Sequence, residues 1–143
     1  GSIYCVPWCA NRVLRISPSS SSVELIGPDF GATPDKWKRA LMGNDGRLFC
    51  VPFNASQVLC IDTSTGSVEL IGPDLGLAEG KWWMSLKVRG DVIFCPPYNA
   101  SKILRIDTST CAIEFFGSDL GPVKAKYWSA VEADDGSIYC APC

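Results

Sequence analysis

The chain repeats itself every 45 residues, and this period constrains its fold more than any other feature of the sequence. Cysteine and proline keep the period along the whole chain, at Cys5, Cys50, Cys95, Cys140, Pro7, Pro52, Pro97 and Pro142. Four further residue types recur at the same interval in three copies, at Ile16, Ile61, Ile106, Gly27, Gly72, Gly117, Asp29, Asp74, Asp119, Lys36, Lys81 and Lys126. A fixed period of this size is the signature of a tandem-repeat protein, in which each copy is one small unit that stacks on its neighbours.

Each repeat contains four short segments with the pattern of β-strands. Around the middle copy these segments are 81–88, 47–51, 57–61 and 67–71. The turns between them are rich in Gly, Asp, Asn, Ser and Thr, which favour tight hairpins and turns bonded by their own side chains. No segment has the 3.6-residue apolar period of a helix. We therefore predict an all-β fold of four-stranded antiparallel units of 45 residues, which is typical of β-propeller blades.

The number of repeats bears on assembly. We predict a single repeat domain over residues 1–143, with repeats at approximately 1–45, 46–90 and 91–135 and part of a fourth at 136–143. About three blades make a partial ring, because closed propellers typically take 4–8 blades. Strand alternation gives both faces of the outer blades apolar side chains, among them Val13, Ile16, Leu25, Trp128 and Val131, and each outer blade has only one neighbour to cover them. We expect copies of the chain, or further repeats of a longer polypeptide, to cover these faces, and we do not expect a free monomer.

The segment 45–66, with the sequence DGRLFCVPFNASQVLCIDTSTG, resembles a blade of the NHL-type, streptogramin-lyase-like and gluconolactonase-like β-propellers. The resemblance implies that 37–42, 82–88 and 127–133 are innermost strands lining a central channel. It also implies that the strands ending at Gly27, Gly72 and Gly117 are outermost. Enzymes of the gluconolactonase group hold a divalent metal with Glu, Asn and Asp at the channel mouth. This sequence offers no matching ligand set, and its Cys and Pro after the second-strand aromatic residue depart from the blade pattern, so we expect no cofactor.

Composition excludes several classes of function. The net charge of −2 gives no basic surface for nucleic acid or anionic lipid. No apolar run approaches the ~20 residues of a membrane-spanning helix. The chain has no histidine, which excludes Ser-His and Cys-His catalysis and histidine metal sites. We therefore do not expect an enzyme.

Eight cysteines in a chain of this size favour an oxidising compartment, so we expect an extracellular or secretory-pathway location. The four cysteines that keep the period occupy equivalent strand positions, which favours small buried apolar side chains over bonds between repeats. The better disulfide candidates are Cys9, Cys60, Cys111 and Cys143, and we also hypothesise a bond between Cys50 and Cys60 across one hairpin. A zinc site at Cys140-x-x-Cys143 is not expected, because that pair stands alone.

Three further sets of residues admit a functional or a structural interpretation. Lys36, Lys81 and Lys126 could form a ring of ammonium groups that attracts an anion, or could pair with Asp29, Asp74 and Asp119 to organise a loop. The aromatic residues that follow the lysines could stack on sugars or pack between blades. Asn54 and Asn99 are N-glycosylation sequons at equivalent positions, and a turn Asn is the alternative.

These observations lead to a functional prediction. We predict a non-catalytic secreted repeat protein that acts as a structural or interaction component and assembles with copies of itself or with further repeats. One alternative is a part of a propeller-type lactonase or lyase, and another is a glycan-binding module.

Overall fold

A computed structural model describes all 143 residues and contains thirteen β-strands and one short 3-10 turn, Pro18–Ser20. The strands are β1 Ile3–Cys5, β2 Val13–Ser17, β3 Ser22–Ile26, β4 Trp37–Met42, β5 Arg47–Pro52, β6 Val58–Asp62, β7 Val68–Ile71, β8 Leu86–Lys87, β9 Val92–Cys95, β10 Ile103–Asp107, β11 Ile113–Phe116, β12 Tyr127–Glu132 and β13 Ile138–Pro142. The predicted all-β fold is confirmed.

The strands form four antiparallel sheets in chain order. Sheet 1 contains β1–β3, sheet 2 contains β4–β7, sheet 3 contains β8–β11, and sheet 4 contains β12 and β13. Strands that are consecutive in sequence are neighbours in each sheet, as in an up-and-down blade. The predicted four-stranded antiparallel blade is confirmed in sheets 2 and 3.

The first strand of sheet 3 is much shorter than predicted. The sequence predicts a strand over 81–88, but only Leu86–Lys87 pairs with β9. In sheet 2 the equivalent pairing continues as Arg39 opposite Val51 and Trp37 opposite Pro52. Sheet 3 has Pro96 at the position of Val51, followed by Pro97. Two successive prolines cannot donate to a ladder, so the pairing ends where they begin.

The core lies between the sheets, and its two complete interfaces use the same repeat positions. We call the side of each sheet that packs against the next sheet its leading face, and the opposite side its trailing face. Between sheets 1 and 2 the leading face supplies Tyr4, Val6, Val13 and Ile26, and the trailing face supplies Trp37, Leu48, Cys50, Leu59, Ile61 and Val68. Between sheets 2 and 3 the same positions, each 45 residues later, supply most of the core: Phe49, Val51, Val58, Ile71, Trp82, Ile93, Cys95, Leu104, Ile106 and Ile113.

The recurring glycine at the end of each fourth strand lets the next sheet approach closely. Gly27 and Gly72 have φ of +76° and +77°. A Cβ at Gly27 would lie 2.6 Å from Cβ of Val68, and one at Gly72 would lie 2.5 Å from Cγ1 of Ile113. The glycine is therefore required both by its left-handed backbone and by the side chain of the following sheet.

The predicted bond between Cys50 and Cys60 is not formed. Cys50 lies opposite Leu59 and Cys60 lies opposite Phe49, so the two side chains point to opposite faces of sheet 2. Cys50 packs against sheet 1, whereas Cys60 packs against sheet 3. All eight cysteines are free thiols in the structure, including the candidates Cys9, Cys111 and Cys143.

Substituting the glycines tests the close approach of the sheets. We expect Gly72→Ala to lower the free energy of unfolding by about 3 kcal/mol, because left-handed strain is added to overpacking against Ile113. Gly117 has the same φ, but a Cβ there would meet nothing within 4 Å, so Gly117→Ala should cost only about 1 kcal/mol. Urea unfolding of both variants gives the comparison. Equal costs would show that Ile113 is not what requires the glycine.

The buried thiols should make the protein sensitive to alkali. Burial raises the pKa of Cys50, Cys60 and Cys95, in Cys60 to about 12. A thiol whose pKa is raised by folding favours the folded state only while it stays protonated. Its contribution to the unfolding free energy is complete below the pKa of the unfolded thiol, about 8.5, and is lost as the pH rises toward the pKa of the folded thiol. We expect the unfolding free energy to fall above pH ~9, and to fall less in Cys60→Ala. Cys5→Ala, which removes an exposed thiol, should follow the wild type.

Candidate functional site

The recurring lysines hold loops together inside the protein. Lys36 and Lys81 are only 3% and 2% exposed. The Nζ of Lys36 donates to the carbonyls of Gly31 at 3.0 Å and Thr33 at 2.8 Å in its own loop, and to that of Cys9 at 3.4 Å in the preceding sheet's loop. These ammonium groups are therefore engaged with carbonyl oxygens and do not line a mouth that is open to an anion.

The other two repeats use the same arrangement. The Nζ of Lys81 donates to Ala78 at 3.0 Å and to Asn54 at 3.2 Å. The Nζ of Lys126 donates to Ala100 at 2.9 Å and to Val123. Burial lowers the pKa of Lys81 to about 8, with Asp74 acting in the opposite direction. Each ammonium thus ties the loop before its own sheet to the loop that follows the second strand of the preceding sheet.

The recurring aspartates shape the same loops through the backbone. The Oδ1 atoms of Asp29, Asp74 and Asp119 accept hydrogen bonds from the backbone N–H two residues later, at 2.7, 2.8 and 2.7 Å. These bonds hold the pKa of Asp29 and of Asp119 below its usual value. None of the three carboxylates forms an ion pair with the lysine of its repeat, so the aspartates close turns of their own.

The two sequon asparagines connect neighbouring loops. The Oδ1 of Asn54 accepts from the N–H of Gly80 at 2.8 Å, and that of Asn99 accepts from the N–H of Ala125 at 3.0 Å. Their Nδ2 atoms donate to the carbonyls of Pro34 at 3.4 Å and Glu79 at 3.0 Å. In the unmodified chain each amide therefore bridges two loops, and glycosylation of these residues stays a prediction.

A row of aromatic rings with one lysine runs across the sheets, and we call it the aromatic row. It consists of Trp8, Phe53, Trp83, Tyr98, Trp128 and Lys38. Ring centroids lie 5.5 Å apart for Trp8 and Phe53, 5.7 Å for Phe53 and Trp83, and 4.7 Å for the stacked pair Trp83 and Trp128. The ammonium of Lys38 lies over Trp83, 5.3 Å from the centroid of Trp8 and 5.7 Å from that of Phe53.

Two repeat positions build the aromatic row. The first position comes directly after the recurring proline that follows the second strand of each repeat, and it holds Trp8, Phe53 and Tyr98. The second position is two residues after the recurring lysine of each repeat, and it holds Lys38, Trp83 and Trp128. Lys38 and Trp128 sit where the strand register shifts by one residue. Such a bulge directs a side chain away from the regular alternation of the strand.

The two sequence interpretations of the aromatic residues therefore apply to different positions. Trp37 and Trp82 are buried between sheets, and their indole N–H groups donate to the carbonyls of Gln57 at 2.8 Å and Lys102 at 3.0 Å. The residue after each of them enters the aromatic row, where Trp128 remains 53% exposed. Trp8, Phe53 and Tyr98 were not among the candidate residues predicted above, although their recurrence at the 45-residue step is visible in the sequence.

The outer sheets expose apolar side chains at repeat positions whose equivalents in the inner sheets are buried. On the trailing face of sheet 1, Ile3 is 54% exposed and Val23 is 64% exposed. Their equivalents in sheet 2 are Leu48 and Val68, which pack into the core between sheets 1 and 2. At the other end, an apolar groove of about 310 Å³ opens between sheets 3 and 4.

No group of three or more Cys, Asp or Glu side chains in the chain is arranged to hold a metal ion. No helix in the structure is long and apolar enough to cross a membrane.

Removing the ammonium of Lys81 tests its role as a loop connector. We expect Lys81→Met to lower the free energy of unfolding by about 2 kcal/mol, because the hydrogen bonds from the buried Lys81 to the carbonyls of Asn54 and Ala78 are lost. Lys124→Met is the matched control, since Lys124 is exposed in the same kind of loop. Thermal and urea unfolding provide the measurement. Unchanged stability of Lys81→Met would contradict the structural role.

Comparison with known proteins gives structural matches only. No protein-family profile matches the sequence, and no curated protein matches it. Among solved structures, the chain is similar to the extracellular domain of a hybrid two-component system from B. thetaiotaomicron, with 15% identity and a TM-score of 0.73 over 99% of this chain and 18% of that one.

Two of the other matches are proteins named as enzymes. Virginiamycin B lyase from Staphylococcus aureus has 18% identity and a TM-score of 0.64, over 99% of this chain and 45% of the lyase. A protein described as a 6-phosphogluconolactonase from Bacteroides uniformis has 13% identity and a TM-score of 0.61, over 99% of this chain and 44% of that one. The chain thus spans less than half the length of the structures that it matches. Its fold is that of a β-propeller segment, as the sequence predicts, and the streptogramin-lyase-like and lactonase-like proteins named in the sequence analysis are among the structures that it resembles.

Proposed function

We propose that the chain is a non-catalytic interaction component that supplies propeller blades and assembles through its outer sheets with further blades of the same repeat. The observation that carries this proposal is the pattern of the exposed faces. The trailing face of sheet 1 presents Ile3, Cys5, Leu14, Ile16 and Val23, which are the equivalents of Leu48, Cys50, Leu59, Ile61 and Val68. In sheet 2 that face is covered by sheet 1.

The free energy gained by covering an apolar face supports the same proposal. Burying apolar surface stabilises by roughly 25 cal/mol per Å², so covering one blade face is worth several kcal/mol. A whole domain is stable by only about 5–15 kcal/mol. Leaving one face uncovered therefore forfeits a free energy that is comparable to the total stability. An exposed apolar face also promotes non-specific association.

We propose an extracellular or secretory-pathway location for this assembly. The eight cysteines suit an oxidising compartment. One of the matched structures is described as an extracellular domain, which is consistent with that location. Cys9 and Cys143 are exposed, and they remain candidates for bonds between units.

Extending the 143-residue chain by a further half-blade tests the proposal. Residues 54–72, which contain the hairpin β6–β7, would be appended after Cys143 to supply the third and fourth strands of sheet 4. We expect the melting temperature to rise by about 5 °C or more, because the new hairpin covers the leading face of sheet 3. The control carries the same extension with the residues corresponding to Leu59, Ile61 and Val68 replaced by Ser. An equal melting temperature for both extensions and the wild type would refute the proposal.

The aromatic row favours glycan binding as a second candidate function. Aromatic faces that are partly open to solvent stack on the apolar faces of sugar rings, and Trp128 offers such a face. A glycan array gives the ligand class, and tryptophan fluorescence then measures its affinity. We expect Trp128→Ala to weaken binding of an array hit at least about tenfold, or roughly 1.4 kcal/mol, while Leu77→Ala, at an exposed loop position, leaves the affinity unchanged.

A further inference from the structure

Two cysteines that depart from the repeat lie on opposite sides of the interface between sheets 2 and 3. Cys60 stands where the other two copies have an arginine. Cys111 stands where they have Ser21 and Gly66. We propose that Cys60 and Cys111 are a site of oxidative modification, at which a small-molecule disulfide converts the two thiols into a bond that cross-links the two four-stranded blades. The proposal does not depend on what covers the outer sheets, because both cysteines belong to an interface inside the chain.

The equivalent positions between sheets 1 and 2 show that such a pair meets across the interface. A Cβ at Gly66 would lie 3.3 Å from Nη1 of Arg15, so this turn of sheet 2 approaches the arginine side chain of sheet 1. Between sheets 2 and 3, cysteine replaces both partners. Cys60 belongs to the buried cluster between those sheets, and Cys111 packs against the same cluster. The two thiols therefore enter one space from opposite sheets.

Each replacement gives up a favourable feature of the repeat. Arg15 and Arg105 form ion pairs with the glutamate opposite them on the fourth strand, at 2.6 and 2.8 Å. Cys60 lies opposite Glu69 and forms no ion pair with it. Cys111 has a φ of +60°, in the left-handed region that residues other than glycine seldom adopt. Two costly replacements that meet at one place indicate a joint role for the two thiols.

Arg47 prepares Cys111 to react first. The other copies have no arginine at its position. Its Nη1 donates to Sγ of Cys111 at 2.6 Å, and its Nη2 donates to the carbonyl of Thr108 at 2.9 Å in the same turn. A guanidinium beside a thiol favours the thiolate, which is the form that attacks a disulfide. Cys111 is also half-buried, whereas Cys60 is only 1% exposed, so an oxidant reaches Cys111 before Cys60.

The reaction balances in two steps. The Cys111 thiolate attacks one sulfur of the small disulfide, which breaks its S–S bond, forms a mixed disulfide on Cys111 and releases one small thiolate. Cys60 gives its proton to that thiolate and attacks Sγ of Cys111, which releases the second small thiolate. Two protein thiols are thus oxidised, and one small disulfide is reduced. Burial and the neighbouring Cys111 raise the pKa of Cys60 to about 12, against the effect of Arg47, so the second step is the slower one.

Oxidation of the reduced 143-residue chain with glutathione disulfide tests the proposal. The background carries Cys5→Ser, Cys9→Ser and Cys143→Ser, which remove the three exposed thiols. We expect a single chain lighter by two hydrogen atoms, with Cys60 linked to Cys111 in a peptide map made without reduction. We also expect the melting temperature to rise by about 5 °C or more, because the bond closes a loop of about 50 residues in the unfolded chain.

Four variants assign the roles of the residues. Cys111→Gly restores the residue of the middle copy and should abolish the bond, leaving Cys60 as a free thiol. Cys50→Ala removes the buried thiol on the opposite face of sheet 2 and should leave the bond intact. Arg47→Gln should slow formation of the mixed disulfide on Cys111 about tenfold, whereas Arg12→Gln, at an exposed loop position in sheet 1, should leave the rate unchanged.

Several results would overturn the proposal. They are a folded chain in which Cys60 stays free, a reaction that stops at the mixed disulfide on Cys111, and a bond from Cys60 to a different cysteine. Equal rates for Arg47→Gln and the parent chain would contradict the assignment of Cys111 as the attacking thiol. If Cys50→Ala does not fold by circular dichroism, fragmentation of the linked peptide in the mass spectrometer identifies which cysteine carries the bond.

Discussion

The structure depends on one repeated contact, in which the leading face of each sheet packs against the trailing face of the next. That contact places the residues of one repeat against residues about 45 positions further along the chain. Its closest point is the end of the fourth strand, where Gly27 and Gly72 leave room for Val68 and Ile113. Because every sheet is held by this contact, any change of side-chain size on either face is transmitted to the neighbouring sheet.

The polar network in the loops serves the same contact. Lysines, asparagines and the backbone of the connecting loops bind across from one sheet to the next, as in Lys81 with Asn54 and Asn99 with Glu79. Burying an ammonium is costly unless its protons find acceptors, and here loop carbonyls supply them. Of the residues that looked most like a ligand site in the sequence, the recurring Lys thus join the loops of successive sheets, and the recurring Asp close turns within one loop.

Periodicity predicted the strands well and failed where local pairing decides the outcome. Strands such as β6 and β10 follow from their alternating apolar residues and the Asp-Thr-Ser-Thr turns after them. The Cys50–Cys60 bond failed because the spacing of two residues in a hairpin does not give their pairing, and a shift of one position moves a side chain to the opposite face. The shortened β8 could have been predicted, since Pro96 breaks the repeat at a ladder position. The aromatic row was harder to foresee, because it joins two sequence positions that only the packing of successive sheets brings together.

The arrangement of covered and uncovered sheets also determines how the molecule opens. Sheet 2 has a neighbour over the full width of both faces and sheet 3 over the full width of one face, whereas sheet 1 has one neighbour and sheet 4 contains only two strands. In linear arrays of this kind, local opening begins at the least supported units and progresses inward. Amide hydrogen exchange should therefore be slowest in β5, β6 and β10 and fastest in β1, β3 and β13. The centre of the chain is therefore the most stable part, and the two ends are the parts most easily released for contact with other blades.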